Sequence, residues 1–215
     1  MEIIKGSDEI IFQKAANLVS RIFASVKNPV IAVCGGRIIQ PLAMALRKSG
    51  YFFPQATLYL TDERITNFSD ALSNEYTIKT QLIEPLENEG IIRDWKLISP
   101  RINGNIEEIS CPSKINLAIL SSGEDGHFAS IFPDMNNDFK SDRYIRIINS
   151  PKPPPERISM TSETLMKSEN ILLFFTSESK RNAWNLFKNQ ETKKTDLPVK
   201  VFLSHLHCTV LTDLE

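Results

Sequence analysis

The stretch PVIAVCGG, residues 29–36, and the stretch QPLAMALRKSG, residues 40–50, decide the fold class. The first is a short apolar run closed by two glycines, which is typical of a buried parallel strand. The second predicts the helix that follows, and this helix should end at Gly50, a residue type that is common where helices terminate. A strand that runs directly into a helix is the repeating unit of an α/β protein.

The same alternation continues on both sides of this unit. Before it, DEIIFQKAANLVSRIFASV, residues 8–26, places apolar residues on one helical face, with Asp8 near the N-terminus. Five further strands are predicted after it, in ATLYLTDER (56–64), INLAILSSGEDGH (115–127), DRYIRIINS (142–150), ENILLFFTSES (169–179) and HLHCTVLTD (205–213). Two further helices are predicted, in SNEYTIKTQLIEPL (73–86), which Ser73 or Asn74 can cap, and in KRNAWNLFKN (180–189). We therefore expect a single α/β domain over residues 1–215, with a Rossmann-like, mostly parallel sheet flanked by helices.

Composition limits the class of partner. The chain has 215 residues, and its 25 Lys and Arg against 26 Asp and Glu give a formal net charge of −1, so no overall charge favours binding to nucleic acid or an anionic membrane. No apolar run approaches the roughly 20 residues of a membrane span. Cys34, Cys111 and Cys208 are far apart and form no CxxC pair, which indicates reduced thiols. We expect a soluble, cytoplasmic protein with a small or locally recognised partner.

Three loops of different chemical character follow predicted strands. CGGR, residues 34–37, offers amides at a helix start, which suits an anion, although two glycines also form plain tight turns. TDER, residues 61–64, brings two carboxylates and a guanidinium, or else a solvated turn in which Asp caps a helix. GEDGH, residues 123–127, places a near-neutral base beside two carboxylates, and a purely structural turn is an equal alternative. Because the carboxyl ends of parallel strands share one edge of a sheet, we expect these loops to meet there.

Two other segments leave their role open. SPKPPPERIS, residues 150–159, contains consecutive prolines that prevent a helix, so it is either a linker or a stiff charged loop that lines a site. His205 and His207, with Cys208 beside them, have the spacing of metal ligands on one strand face. Without companion ligands in the sequence, we favour the alternating polar and apolar residues of a C-terminal strand.

In this order the segments resemble the 6-phosphogluconolactonase family, which is related in fold to glucosamine-6-phosphate deaminase. The resemblance runs from about Val30 to Lys180. It rests on GG at 35–36 with PL at 41–42, DER with SN at 73–74, GEDGHFASIFP, SPKPPPERIS, and LLFFTSESK. It implies hydrolysis of 6-phosphoglucono-δ-lactone to 6-phosphogluconate in the oxidative pentose phosphate pathway, with no metal or organic cofactor and a sugar phosphate lactone as partner.

The resemblance also implies roles for individual residues. His127 matches the general base that takes a proton from the attacking water, a role that suits a histidine near neutral pH. Asp125 would orient His127, and Asp62 would orient the water or hold sugar hydroxyl groups. The resemblance places Arg64, Arg157 and Lys180 around the phosphate or sugar, with amides from Gly35 and Gly36. Lys152 is a further candidate, and Arg37, which departs from the family pattern, can add a positive charge there.

Some positions depart from the family pattern. CGGRII stands where the family usually reads Ser-Gly-Gly-Ser-Thr-Pro, so Cys34, Arg37 and Ile38 replace hydroxyl residues. Thr66, Asn67 and Asp70 stand in place of the usual Val-Pro and His, Ser121 replaces a glycine, and Phe128 replaces a threonine. Two alternatives to a lactonase follow: a non-catalytic sugar-phosphate sensor, and an amino-sugar-phosphate deaminase on the same fold. The deaminase would have an acidic residue where this chain has Phe132 and usually a tyrosine in place of Arg64, so the lactonase is favoured.

Overall fold

A seven-stranded parallel sheet forms the centre of the chain in a computed structural model that describes residues 1–67, 70–102, 105–106, 110–135 and 144–215. The elements in chain order are β1 (Glu2–Lys5), α1 (Asp8–Ser25), β2 (Val30–Val33), α2 (Ile39–Lys48), β3 (Ala56–Leu60), β4 (Asp62–Arg64), α3 (Asn74–Ile78), a π-helical segment (Lys79–Ile83), α4 (Glu84–Asn88), β5 (Trp95–Ile98), β6 (Arg101–Ile102), β7 (Asn105–Ile106), β8 (Leu117–Ser121), β9 (Ile145–Ile147), β10 (Arg157–Ser159), α5 (Ser162–Met166), β11 (Ile171–Phe175), a 3₁₀ helix (Glu178–Lys180), α6 (Arg181–Lys188), a second 3₁₀ helix (Pro198–Ser204) and β12 (Cys208–Thr212).

The strand order of the large sheet is β1-β12-β11-β8-β2-β3-β5, and every neighbouring pair is parallel. From β2 the chain moves outward to β3 and β5, and it then returns to place β8 on the other side of β2. After β2 the chain continues toward one edge of the sheet, and after β8 it continues toward the other edge. Parallel α/β sheets bind ligands at such a point, in the gap above the carboxyl ends of the two neighbouring strands. The predicted fold class, a mostly parallel sheet flanked by helices, is confirmed.

Successive side chains of the central strands enter two different hydrophobic clusters. Leu117 and Ile119 of β8 belong to the cluster that includes the buried faces of α1 and α2. Ala118 and Leu120 belong to the cluster that includes Trp184 of α6. Because alternate residues of a strand point to opposite faces, the sheet is covered on both sides, which explains why its central strands are almost continuously apolar.

A small antiparallel sheet, in the order β4-β10-β9, stands apart from the large one. Its register places Asp62 opposite Ser159 and Arg64 opposite Arg157. The predicted strand ATLYLTDER is thus two strands, β3 in the large sheet and β4 in the small one. DRYIRIINS contributes β9 to the small sheet and not to the parallel one, and its residues 142–143 lie outside the described part of the chain.

Other predictions need smaller corrections. Helix α1 is confirmed, and α2 ends as predicted, since Gly50 follows with a φ of 66°. The predicted helix after Ser73 is α3, the π-helical segment and α4 in succession, and Ser73 is its N-cap, with Oγ accepting from the backbone N–H of Tyr76 at 3.2 Å. The last strand begins only at Cys208, so the prediction that His205 and His207 lie within it is wrong. Within the described residues, no helix has the length and apolar character needed to cross a bilayer.

Candidate functional site

A cavity of about 530 Å³ opens at the carboxyl edge of the parallel sheet, above β2 and β8. The loops after β2, β3 and β8 all reach it, together with the 150–159 segment and the loop after β11. The predicted site residues that line it are Gly35, Gly36, Arg37, Asp62, Arg64, His127, Lys152, Arg157 and Lys180. Asp125, the remaining one, lies directly behind His127.

His127 and Asp125 form a close pair in the loop after β8. Nδ1 of His127 donates to Oδ1 of Asp125 at 2.5 Å, and the backbone N–H of His127 donates to the same oxygen at 3.3 Å. Burial raises the pKa of Asp125, but the hydrogen bond and charge of His127 outweigh burial, so the pKa lies well below its usual range. Asp125 is therefore a carboxylate that fixes the tautomer of His127 and leaves Nε2 as the ring nitrogen available for proton transfer.

Two glycines make this geometry possible. A side chain at Gly123 would overlap the His127 ring and the Asp125 carboxylate, so only glycine lets the imidazole lie across the turn. Gly126 has a φ of 80°, a conformation that residues with a side chain rarely adopt. The ring of Phe132 then packs against His127, with 4.5 Å between the ring centroids. The glycines of GEDGH thus both turn the chain and present its histidine.

Asp62 lies at the other end of the cavity and is only 3% exposed. Ser130 Oγ donates to Oδ2 of Asp62 at 2.7 Å, and Nδ2 of Asn74 donates to its backbone carbonyl at 2.8 Å and to Oδ1 at 3.2 Å. Arg157 Nη1 lies 3.5 Å from Ser130 Oγ. A buried carboxylate with this many fixed donors has one orientation, so Asp62 can align a substrate hydroxyl or a water molecule.

Arg64 and Arg157 bring two positive charges to the Asp62 end. They are directly opposite each other in the β4–β10 ladder, where like charges repel. Burial lowers the pKa of Arg157, and the charge of Arg64 lowers it further. Arg157 is held by the backbone carbonyls of Lys152, Pro153 and Pro154 at 3.1–3.2 Å, and its guanidinium lies over the ring of Phe132. Two adjacent guanidinium groups favour an anionic or strongly polar ligand between them.

The β2 loop and Lys180 form a second positively charged end. Helix α2 begins just after this loop without a side-chain cap, but the N–H of Ile39 donates to the carbonyl of Gly36 at 3.2 Å and Pro41 has no N–H, so the helix start itself offers an anion few amides. Gly35 packs directly on Asn74, Gly36 has a φ of 92°, and Arg37 is exposed at the rim. Lys180 Nζ donates to Ser121 Oγ at 2.6 Å. Burial lowers the pKa of Lys180 to about 8, and the nearby charge of Arg37 contributes to this.

Lys152, a further candidate for the phosphate or sugar, lines the cavity on the side of His127. Its ammonium is 2.9 Å from Oε1 of Glu124 and 3.5 Å from Oδ2 of Asp125. It lines the cavity beside the histidine, and its contacts are with carboxylates of the GEDGH turn.

Sequence reasoning missed several residues that hold the site. Glu63 is almost completely buried, and its carboxylate accepts from the backbone N–H groups of Arg64, Asn74 and Glu75 at 2.6–2.8 Å and from Ser73 Oγ at 3.0 Å. Glu63, which lies in strand β4, therefore caps the N-terminal end of α3. Ser130 and Asn74 were also not predicted as partners of Asp62. The DER and SN motifs occur together in the resemblance, and their joint presence was the available signal for this contact.

The structure gives His205 and His207 no role at the cavity. His205 is buried, its Nε2 lies 2.8 Å from the backbone carbonyl of Ser168, and its Nδ1 accepts from the backbone N–H of His207 at 3.2 Å. Both ring nitrogens of His205 thus have partners within the chain. The described residues contain no group of three or more His, Cys, Asp or Glu side chains arranged to hold a metal ion.

Known proteins resemble the whole chain. A 6-phosphogluconolactonase of Borreliella burgdorferi is 28% identical over 201 residues, which cover 88% of this chain and 85% of that protein. The crystal structure of a 6-phosphogluconolactonase from Thermotoga maritima superposes with a TM-score of 0.76 at 19% identity, over 99% of this chain and 98% of that one. A monomeric glucosamine-6-phosphate deaminase superposes with a TM-score of 0.77 at 18% identity, over 99% and 97% of the two chains. The two structural likenesses establish the fold.

Family membership follows from a match along nearly the entire sequence. A family model described as glucosamine-6-phosphate isomerases/6-phosphogluconolactonase matches residues 7–211. That range includes every strand of the large sheet except β1 and the last residue of β12, and it includes every side chain that lines the cavity. The chain therefore belongs to the glucosamine-6-phosphate isomerase/6-phosphogluconolactonase family.

Proposed function

We propose that the protein hydrolyses 6-phosphoglucono-δ-lactone to 6-phosphogluconate, the lactone-opening step of the oxidative pentose phosphate pathway, in the cytoplasm. The observation that carries this proposal is the Asp125–His127 pair at a cavity whose other charged side chains are mainly cationic. A histidine base suits attack by water on a carbonyl, and the cations suit a dianionic phosphate ester. The lactonase names of the relatives support the same reaction.

Catalysis begins with proton transfer to His127. Nε2 takes a proton from a water molecule while the water oxygen attacks the lactone carbonyl carbon, and the carboxylate of Asp125 stabilises the imidazolium that forms. The tetrahedral intermediate then loses its ring oxygen as the leaving group, and the imidazolium returns the proton to that oxygen. Asp62, fixed by Ser130 and Asn74, aligns the sugar or the water at the opposite side of the reacting carbon.

The phosphate supplies binding energy away from the reacting bond. Lys180, Arg37 and the loop at Gly35 and Gly36 form the end of the cavity that fits the phosphate best, because the two side chains are positive and no carboxylate of the cavity lining contacts them among the described residues. Arg64 and Arg157, beside Asp62, face the sugar end. Binding at the phosphate holds the carbonyl against His127 and so contributes to the rate through position.

The deaminase alternative is disfavoured by the neighbourhood of His127. The position that would carry its acidic group is Phe132, whose ring packs on the imidazole. An aromatic ring at this point cannot exchange protons with His127, so the relay for ring opening and isomerisation lacks a member. Arg64, in place of a tyrosine, adds a positive charge at the Asp62 end of the cavity.

The test is hydrolysis of freshly generated 6-phosphoglucono-δ-lactone, with the uncatalysed rate subtracted. His127→Ala should lower kcat by about 10²–10⁴-fold, the usual contribution of a positioned general base, and should leave 6-phosphogluconate affinity within about threefold. His207→Ala removes an exposed histidine outside the cavity and is the matched control, with unchanged kcat expected.

Two results would contradict the proposal. Equal turnover in His127→Ala and the parent removes His127 from the mechanism. Normal 6-phosphogluconate binding by the parent with no acceleration above the uncatalysed rate identifies a sugar-phosphate sensor.

A further inference from the structure

Lys152 contacts the catalytic pair directly, and the partners of its ammonium are carboxylates of the GEDGH turn. Asp125 uses its two carboxylate oxygens for two different partners: Oδ1 accepts from His127, and Oδ2 lies 3.5 Å from Lys152 Nζ. The same ammonium donates to Glu124 Oε1 at 2.9 Å. From this arrangement we infer that Lys152 is a positioning residue that acts on His127 through Asp125. This inference rests on the proposed function, in which His127 is the base.

Hydrogen bonds hold the backbone around Lys152 in place, so the point from which its side chain extends is fixed. The carbonyl of Lys152 accepts from Arg157 Nη2 at 3.1 Å and from Ser150 Oγ at 3.0 Å. Ser150 N–H donates to the carbonyl of Pro155 at 2.9 Å, which closes the loop across its prolines. The lysine side chain is about one third exposed, and it extends from this fixed loop to the GEDGH turn.

Lys152 and a protonated His127 compete for the same carboxylate. The charge of Lys152 also lowers the pKa of Asp125, although it contributes less than the hydrogen bond and charge of His127. Lys152 therefore helps keep Asp125 ionised. A cation on Oδ2 also withdraws negative charge from Oδ1, so a proton on the imidazole gains less from Asp125. Lys152 therefore favours the neutral imidazole, which is the form that accepts a proton from water.

Removing this cation would change the charges that face His127. Glu124 and Asp125 would remain beside the imidazole without a balancing ammonium, and both favour a protonated ring. The charged groups that line the rest of the cavity would be unchanged: Asp62, Arg64, Arg157, Arg37 and Lys180. The predicted consequence is that the enzyme without Lys152 needs a higher pH to keep its base free of a proton.

The first experiment compares pH profiles of kcat/KM. In Lys152→Met the acidic limb should move to higher pH by roughly half to one unit, a small shift because Lys152 is partly exposed to solvent. KM at the plateau should stay within about twofold of the parent, and Lys152→Arg should restore the parent profile. Lys114→Met is the matched control, because it removes an ammonium 2.9 Å from Glu169 near the amino end of β8, away from the cavity.

The second experiment uses the free enzyme and needs no activity. The chain has three histidines, so the His127 ring signals can be assigned by comparison with His127→Ala and His207→Ala in ¹⁵N NMR spectra. The titration of the His127 ring should move to higher pH in Lys152→Met and remain in place in Lys114→Met. If the parent shows no lactonase activity, the proposed function is refuted. The titration would still decide whether Lys152 is coupled to His127.

Two results would overturn the inference. One is a Lys152→Met enzyme whose acidic limb and His127 titration are both unchanged. The other is a raised KM with the parent pH profile, which would make Lys152 a ligand of the substrate.

Discussion

Lys180 should make the binding of 6-phosphogluconate weaken as the pH rises from 7 to 9. Its Nζ donates to Ser121 Oγ at 2.6 Å, and its side chain is largely enclosed at the positive end of the cavity. The loop that carries it is fixed, because the backbone N–H of Ser177 donates to the Asp213 carboxylate at 3.0 Å. Burial lowers the pKa of Lys180 to about 8, so its charge is lost within a pH range where a lysine in water stays protonated.

The size of the effect follows from this pKa. With a pKa of about 8, Lys180 is charged in about nine tenths of the molecules at pH 7 and in about one tenth at pH 9. If the phosphate binds only the ammonium form, the Kd rises by up to about tenfold over this range. A phosphate monoester has its second pKa near 6, so the ligand is a dianion at both pH values. Burial raises the pKa of Cys34 to about 12, so that neighbouring thiol also keeps its state.

Calorimetric titration with 6-phosphogluconate at pH 7, 8 and 9 measures this directly, and it avoids the lactone, which hydrolyses without enzyme. Binding near pH 8 should take up protons, visible as a dependence of the observed enthalpy on the ionisation enthalpy of the buffer. Lys180→Arg keeps a positive charge throughout and should give a nearly constant Kd. A parent Kd that does not change from pH 7 to 9, or an equal rise in Lys180→Arg, would refute the assignment of Lys180 to the phosphate.

Two further substitutions test the framework of the site. Gly123→Ala places a methyl group against the His127 ring, so kcat should fall by about 10–100-fold with little change in 6-phosphogluconate affinity; parental steady-state kinetics would contradict this. Glu63→Ala leaves the buried backbone N–H of Asn74 and the partly buried backbone N–H groups of Arg64 and Glu75 without their acceptor, so the free energy of unfolding in urea should fall by about 2–4 kcal/mol. Glu63→Gln keeps one acceptor oxygen and should lose less, and equal stability of Glu63→Ala and the parent would show that the cap is dispensable.

The central strands could be predicted because burial on both faces leaves an apolar run in the sequence. LAIL of β8 is such a run, and all four residues are buried. EIIK of β1 was missed because it is an edge strand with mostly exposed residues, so its pattern resembles an exposed terminus. WKLI of β5, at the opposite edge and only partly buried, was missed for the same reason. Edge strands are defined by the neighbour they pair with, and that pairing is not local in sequence.

The place of the site could be predicted, whereas the partners of its charged groups could not. The rule for parallel sheets requires the loops after β2 and β8 to meet, and it needs no knowledge of side chains. The contacts of Asp62 depend on Ser130, which is 68 residues away, and on the separate turn of β4 into the small sheet. The contact between Lys152 and Asp125 could not be predicted either, because the two residues belong to different loops and the sequence does not give the distance between those loops.

The unusual loop CGGRII changes the chemistry of the cavity mainly at one side chain. Cys34 and Ile38 are buried, at 5% and 1% exposure, so the hydroxyl groups lost at these positions are replaced by side chains that contribute to the core. Arg37 is the exposed one, and it adds a positive charge at the rim. Burial is the main cause of the lowered pKa of Lys180, and the charge of Arg37 lowers it further. The loop therefore exchanges neutral hydroxyl donors for a second cation, and binding at this end should depend on pH and salt more than binding by hydroxyl groups would.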